Sequence, residues 1–154
     1  MNMQERSQKY KGKFKPNNPS KYMGDSGNII YRSMWERRCM KYFDINPGVL
    51  KWSSEEIAIP YYDTLTKKVR RYFPDFLIKV KDKEGEEKTH LIEVKPSKDL
   101  RPPTSTQGKK KSTVLYEMKT YQMNRDKFAS ARKWCDERGV QFDIWTEKHL
   151  HQRG

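Results

Sequence analysis

Asp75 and Glu93 stand where solvation alone would not put them. Each is embedded among apolar residues, in Arg71-Tyr72-Phe73-Pro74-Asp75-Phe76 and His90-Leu91-Ile92-Glu93-Val94-Lys95, where an unpaired charge is expensive. Side chains two apart on a strand share a face, so Glu93 and Lys95 point the same way. A carboxylate pair beside a lysine suits phosphodiester hydrolysis. The carboxylates would hold magnesium, a hard cation that takes oxygen ligands and keeps several waters, with manganese as the expected substitute. The metal would polarise the phosphate and lower the pKa of a bound water, and the lysine would orient that water or stabilise developing negative charge.

Glu-x-Lys by itself carries little, because it recurs at Glu86-Glu87-Lys88 and Glu117-Met118-Lys119. What makes Glu93-Val94-Lys95 selective is its setting in an apolar strand that follows Pro74-Asp75 through one hairpin. A turn centred on Gly85 would set position 75 opposite 95 and diagonal to 93, gathering the three groups. A slip of one residue would turn Asp75 to the other face.

The elements that must position these groups follow from the surrounding pattern. Ser33 and Glu36 have the Ser-x-x-Glu spacing of a capping box, so a helix begins there. Trp35, Cys39, Tyr42 and Phe43 fall on one of its faces, and Asn46-Pro47-Gly48 ends it. Strand-like runs cover Val49 to Trp52, Ile57 to Tyr62, Val69 to Phe73, Phe76 to Val80 and Lys88 to Lys95, as two successive hairpins or a meander. A second helix is expected from about Thr113 to Arg138 on Leu115, Met118, Tyr121, Phe128, Ala131 and Cys135, with a break near Asn124 and Gly139 just past its end. A last strand runs over Val140 to Trp145. The fold class is therefore α/β, with a mixed sheet flanked by helices.

Composition bounds the rest. The 154 residues carry 33 Lys+Arg against 20 Asp+Glu, a formal charge of +13, which points to a polyanionic partner. Aromatics at 12%, four Trp among them, argue for a folded core rather than disorder. No stretch approaches the roughly 18 apolar residues of a membrane helix. Met1 to Lys15 is polar and basic, unlike a secretory signal. Cys39 and Cys135 stand apart, with neither the pairing nor the spacing of a zinc or disulfide module, and read as buried thiols. Three segments follow: a basic arm over 1–22, one domain over 23–147 with a flexible basic loop at 97–112, and a tail over 148–154.

The cations divide among that arm, a hairpin group of Lys67, Lys68, Arg70 and Arg71, and the loop with Lys109, Lys110 and Lys111. They would hold DNA through sequence-independent, salt-sensitive phosphate contacts. Tyr61, Tyr62, Tyr72 and Trp52 could stack on unpaired bases, although aromatics in strands are more often core. His90 has the opposite parity to Glu93, and His149 and His151 read as solvated.

The strand-embedded Pro74-Asp75 … Glu93-Val94-Lys95 order resembles the restriction-endonuclease-like superfamily, named for its Pro-Asp … (Asp/Glu)-x-Lys motif. The resemblance implies a core of α-β-β-β-α-β, the order read above, and a further acid from the first helix, where Glu36 sits in Ser33-Met34-Trp35-Glu36-Arg37-Arg38. Lys11-Gly12-Lys13-Phe14-Lys15-Pro16, the Ser-x-Trp-Glu helix start, Arg71 to Phe76, and Trp134-Cys135 … Arg138-Gly139 … Phe142 together look like the head completion nucleases of large contractile-tailed phages, from about Tyr10 to Glu147. The chain is also similar to the endonuclease subunit of a Tn7-type transposase.

That resemblance implies a metal-dependent DNA nuclease that finishes the filled head before tail joining. Asp75, Glu93 and Glu36 would hold the metal and Lys95 would act beside them. It also implies portal or neck proteins as partners and the host cytoplasm as location, with the virion as a second place. Some relatives carry Gln-x-x-x-Tyr on the following helix; neither Gln107 nor Gln122 has a Tyr four residues later, which leaves Gln122, Asn124 and Lys127 as candidates. Three single-residue alternatives stay open: Glu36 as a helix cap, Asp75 as a turn residue, and Lys95 as a solvated strand end. At the level of function the alternatives are a DNA-binding head or neck component without turnover, and an endonuclease of transposition or repair.

Overall fold

In the computed structural model, which describes residues 11–104 and 106–149, the first helix begins where its cap predicts. Ser33 is extended and its Oγ accepts from the Glu36 N–H at 3.1 Å, opening α1 (Met34–Ile45). Cys39, Met40 and Phe43 on its inner face are buried. The Phe43 ring meets those of Trp52, Phe76 and Trp145 at 5.8, 5.0 and 5.8 Å.

Those partners come from a four-stranded sheet. Its strands β3 (Val49–Ser54), β6 (Phe76–Lys81), β7 (Glu87–Val94) and β8 (Gln141–Trp145) lie in that spatial order. The first two pairings are antiparallel and β7–β8 is parallel. A parallel neighbour needs a crossover, and α2 (Lys111–Arg138) supplies it on the sheet's other face. There Leu91, Ala131 and Cys135 are buried together and Phe128 meets Phe142 at 5.9 Å. The hairpin of β4 (Ile59–Asp63) and β5 (Lys68–Tyr72) forms its own two-stranded sheet between β3 and β6 in sequence. It is tied to α2 by Thr64, whose N–H and Oγ1 both donate to Asp126 Oδ2 at 2.9 Å. Without that insertion the order α1, β3, β6, β7, α2, β8 is the expected core.

Four expectations are corrected. The arm expected over 1–22 is part of the fold from residue 11. There, β1 (Gly12–Phe14) pairs with β2 (Ile29–Tyr31), Phe14 and Tyr22 are buried, and Asp44 accepts from the N–H groups of Asn17 and Asn18. The first ten residues, Ser105, and residues 150–154 with His151 lie outside the described residues. The loop at 97–112 is shorter than expected, with a 3-10 turn at Ser97–Leu100 and α2 already starting at Lys111. No break occurs near Asn124, which is buried inside a continuous 28-residue α2. Finally, Leu115 and Met118, which share the helical spacing of the apolar positions, do not face a core: they are 53% and 56% exposed.

Candidate active site

The hairpin between β6 and β7 fixes the site, and its register differs from the expected one. Phe76 pairs with Ile92 and Lys81 with Glu87, so the same ladder sets Asp75 opposite Glu93, not Lys95. The turn is centred on Glu84, where Asp82 Oδ1 accepts from the N–H groups of Glu84 and Glu86 and Gly85 takes φ +83°. The displacement is two residues, and strand side chains alternate with period two. Every group therefore keeps its expected face.

Asp75 is held at the mouth of this ladder. Its Oδ2 accepts from the Val94 N–H at 2.7 Å, and its carbonyl accepts from the Glu55 N–H at 3.1 Å. On the other flank Ser54 pairs with Phe76, so Glu55, Asp75 and Glu93 end three adjacent strands in one row. Glu55 has a left-handed backbone, φ +54°, and its carboxylate meets Arg32 at 3.1 Å. Glu36 reaches the same place from the start of α1, accepting from the Arg32 N–H at 3.1 Å. Oxygens of Glu36, Glu55 and Asp75 all lie within 4.8 Å of one another. Beyond Asp75, the buried Glu93 accepts from the Tyr72 hydroxyl at 2.5 Å and has Lys95 Nζ 3.7 Å away.

Like charges aligned across a sheet repel, and the ionisation of these groups reflects that. Burial first, then Glu93 and Glu36, raise the Asp75 carboxyl well above its ordinary value. Burial pushes Glu36 up to about 7, with Glu55 adding to it and the Arg32 N–H opposing it. Glu93 is also raised by burial, against the pull of Lys95 and the Tyr72 hydrogen bond. Three converging carboxylates, Glu36, Glu55 and Asp75, with Glu93 beside Asp75 in register and too little positive charge among them, match what a hard divalent cation requires.

The structure thus brings together Glu36, Asp75, Glu93 and Lys95. Glu36 has both of its anticipated roles within reach, since Ser33 caps the helix while the Glu36 carboxylate faces Asp75. Glu55 was missed: in Ser53-Ser54-Glu55-Glu56 it reads as one more surface acid. The pairing of β3 with β6 is the signal that would have found it. Tyr72, considered only for stacking, instead orients Glu93.

The candidate cations separate. Lys67, Lys68 and Arg71 are exposed on the hairpin, whereas Arg70 is tied to Asp63 at 3.0 Å. Lys109 pairs with Glu117 at 2.9 Å, and Lys110 and Lys111 are exposed at the start of α2. Of the helix candidates, Gln122 donates to Asp126 at 3.0 Å and Asn124 is buried. Lys127 alone turns toward the acids, close enough for Glu93 and Asp75 to act on it. His90 Nδ1 lies 2.7 Å from Asp143 Oδ2 on β8, and Trp52, Tyr61 and Tyr72 are buried, leaving Tyr62 exposed among the stacking candidates.

Residues 46–147 match the family described as TnsA-like endonuclease N terminal. The chain is also 40% identical over 150 residues to the head completion nuclease of Enterobacteria phage T4, covering 94% of this chain and 96% of the relative. The family match takes in Glu55, Asp75, Glu93, Lys95 and Lys127, while Glu36 lies before it.

Proposed function

This chain belongs to the TnsA-like endonuclease N-terminal family, and on that premise we propose that it is a magnesium-dependent DNA nuclease that acts in completing a phage head. One observation carries the proposal. A Pro-Asp at the head of β6 and a Glu-x-Lys at the end of β7 meet across one register pair, with a further carboxylate arriving from α1.

In this reading Asp75 and Glu93 hold the metal, Glu36 contributes from the helix side, and Glu55 lies close enough to join them. A bound divalent cation supplies positive charge against the phosphate and lowers the pKa of a bound water. The chain does the rest. Tyr72 fixes one Glu93 oxygen, Val94 N–H fixes one Asp75 oxygen, and Lys95 stabilises negative charge developing on the phosphate. Exposed Lys67, Lys68, Arg71, Lys110 and Lys111 hold the DNA backbone, and the partially paired Arg70 and Lys109 add to the field.

The relative's name, head completion nuclease, supports head completion as the setting; the cytoplasm of an infected host and portal or neck proteins as partners are further parts of this proposal. Among the described residues, no helix is long and apolar enough to cross a membrane.

The deciding experiment is a cleavage assay on duplex, single-stranded, nicked and branched DNA with magnesium, manganese or chelator. Cleavage should need the metal, stop with chelator, and fall steeply with salt. Salt-sensitive binding with no turnover in either metal would overturn the nuclease and leave a DNA-binding head component.

Metal binding should also register without substrate. Glu36 keeps its proton to about pH 7 in the folded protein, against roughly 4.3 unfolded. Its contribution to metal-free stability is therefore complete below about 4.3 and is lost as pH rises through about 7. A cation needs the ionised forms, so magnesium should raise the melting temperature more at pH 8 than at pH 5.5. At a hundredfold excess over its dissociation constant the gain is about 2.7 kcal/mol. Equal shifts at both pH values would count against carboxylate ligation.

A further inference from the structure

Lys127 is a charge without a counter-ion. Its ammonium lies 5.5 Å from the Tyr72 ring centroid and 5.9 Å from that of Tyr61, and both rings are buried. Among the described residues it makes no ion pair and no hydrogen bond, while burial lowers its pKa and Lys95 lowers it further. The rings stabilise a cation through their faces but accept none of its three N–H donors in the ordinary sense. A lysine that only needed solvation would extend to the surface. This one is held inward, at the side of a groove of about 770 Å³ between the β4–β5 hairpin and α2.

The groove's other charges sharpen the point. Arg70 and Asp63 also line it, and they neutralise each other at 3.0 Å. Arg71 lines it too; it is exposed, its guanidinium lies 6.0 Å from the Phe73 ring centroid, and it has no acidic partner among the described residues. Two cations without an ion pair thus face one groove, and Lys127 is the one on which the acids Glu93, Asp75 and Asp63 act. Such a groove suits an anion with several acceptor oxygens.

We infer that Lys127 and Arg71 form a phosphate subsite in the groove between the hairpin and α2, which takes a backbone phosphodiester of the DNA strand lying beside Asp75, Glu93 and Lys95. The inference rests on the nuclease reading for its substrate. It adds where the strand runs: along the hairpin's inner face, with one phosphate engaging the Lys127 ammonium. Tyr61 and Tyr72 act as rigid walls that keep that ammonium desolvated and pointed at the groove, so little side-chain freedom is lost on binding.

The test is DNA binding by the full chain in chelator, where no cleavage complicates the measurement. The affinity for a labelled duplex is measured against salt for the wild type, Lys127→Met, Lys127→Arg, Arg71→Gln and Lys133→Met. Removing one phosphate-binding cation should reduce the slope of log K against log salt by about 0.9. Lys127→Met and Arg71→Gln should each show that reduction. Lys127→Arg should retain the slope, and so should Lys133→Met, an exposed position that does not line the groove. Methionine preserves the apolar stem. Should it still unfold the protein, Arg71→Gln on the surface carries the test alone.

Unchanged slopes for Lys127→Met and Arg71→Gln, in a protein whose cleavage Glu93→Ala abolishes, would overturn the subsite and leave the nuclease intact. Reduced slopes in a protein that cuts no DNA would support the subsite and overturn the nuclease.

Discussion

Glu93→Ala and Lys95→Ala are each expected to lower magnesium-dependent cleavage by at least about 10²–10³-fold, the usual loss when one group stabilising charge in a transition state is removed. Both proteins should remain folded, but they should differ in how they fail. Glu93 is buried beside Asp75 and lifts its pKa, so replacing it removes a repulsion along with the Tyr72 hydrogen bond. The two changes offset, and stability should move little. The magnesium-induced rise in melting temperature should disappear, because a ligand is gone. Lys95→Ala removes a cation that lies 3.7 Å from Glu93 and leaves every carboxylate in position. Magnesium should stabilise this variant as well as the wild type, or better, while cleavage is still lost. A variant that binds the metal and does not cut would assign Lys95 to the chemistry. Equal cleavage by the wild type and both variants, after contaminating nucleases are removed, would sink the proposed site.

That pair of variants could be chosen from sequence alone, and the reason lies in the period of a strand. Asp75, Glu93 and Lys95 share a face in any even register, so the two-residue displacement of the β6–β7 hairpin left the cluster intact. The Asp82 side chain gathers the turn and sets that displacement, and hydrogen bonds of this kind have no periodic signature. Glu55 was invisible for a related reason. It enters the site only because β3 pairs with β6 across the inserted β4–β5 hairpin, and pairings between distant strands leave no mark in local spacing. Asn124 and the basic segment over 1–22 misled in the opposite direction. Asn124 is tolerated inside α2, and the segment expected as an arm is fixed by Asp44 accepting from the Asn17 and Asn18 backbone N–H groups.

The charge excess is likewise only partly free. Arg70 is paired to Asp63, Lys109 to Glu117 and Arg32 to Glu55, so counting cations overstates what a phosphate backbone would meet. The cation turned toward the acids without an ion pair, Lys127, sits in no basic run at all. Runs mark surface that is cheap to solvate, whereas a single lysine drawn inward among aromatic rings marks a position where an anion is wanted.

Glu36 separates helix capping from catalysis, because its two roles use different atoms. The cap is the Ser33 Oγ accepting from the Glu36 backbone N–H, which survives any substitution there except proline. The side chain's own structural contribution is to accept from the Arg32 N–H at 3.1 Å and, at a longer 3.4 Å, from the Ser33 hydroxyl; the first is worth about 0.5–1.5 kcal/mol. Glu36→Gln keeps an oxygen for that N–H and removes a carboxyl that burial and Glu55 push up to about 7. Its stability should equal or exceed that of the wild type, most visibly above pH 7, where the wild type must ionise a buried group. Glu36→Ala loses the acceptor and should be less stable by about that 0.5–1.5 kcal/mol. If the carboxylate serves the metal, both variants cut at least about 10–100-fold more slowly, since even outer partners of a metal site carry that much, and raising magnesium restores part of the rate in each. If Glu36 is a helix residue only, Glu36→Gln cuts like the wild type, and Glu36→Ala differs in melting temperature alone. Cleavage and melting measured side by side on the two variants therefore distinguish the roles, and the glutamine variant decides, because only the catalytic role predicts a protein that is no less stable and much less active.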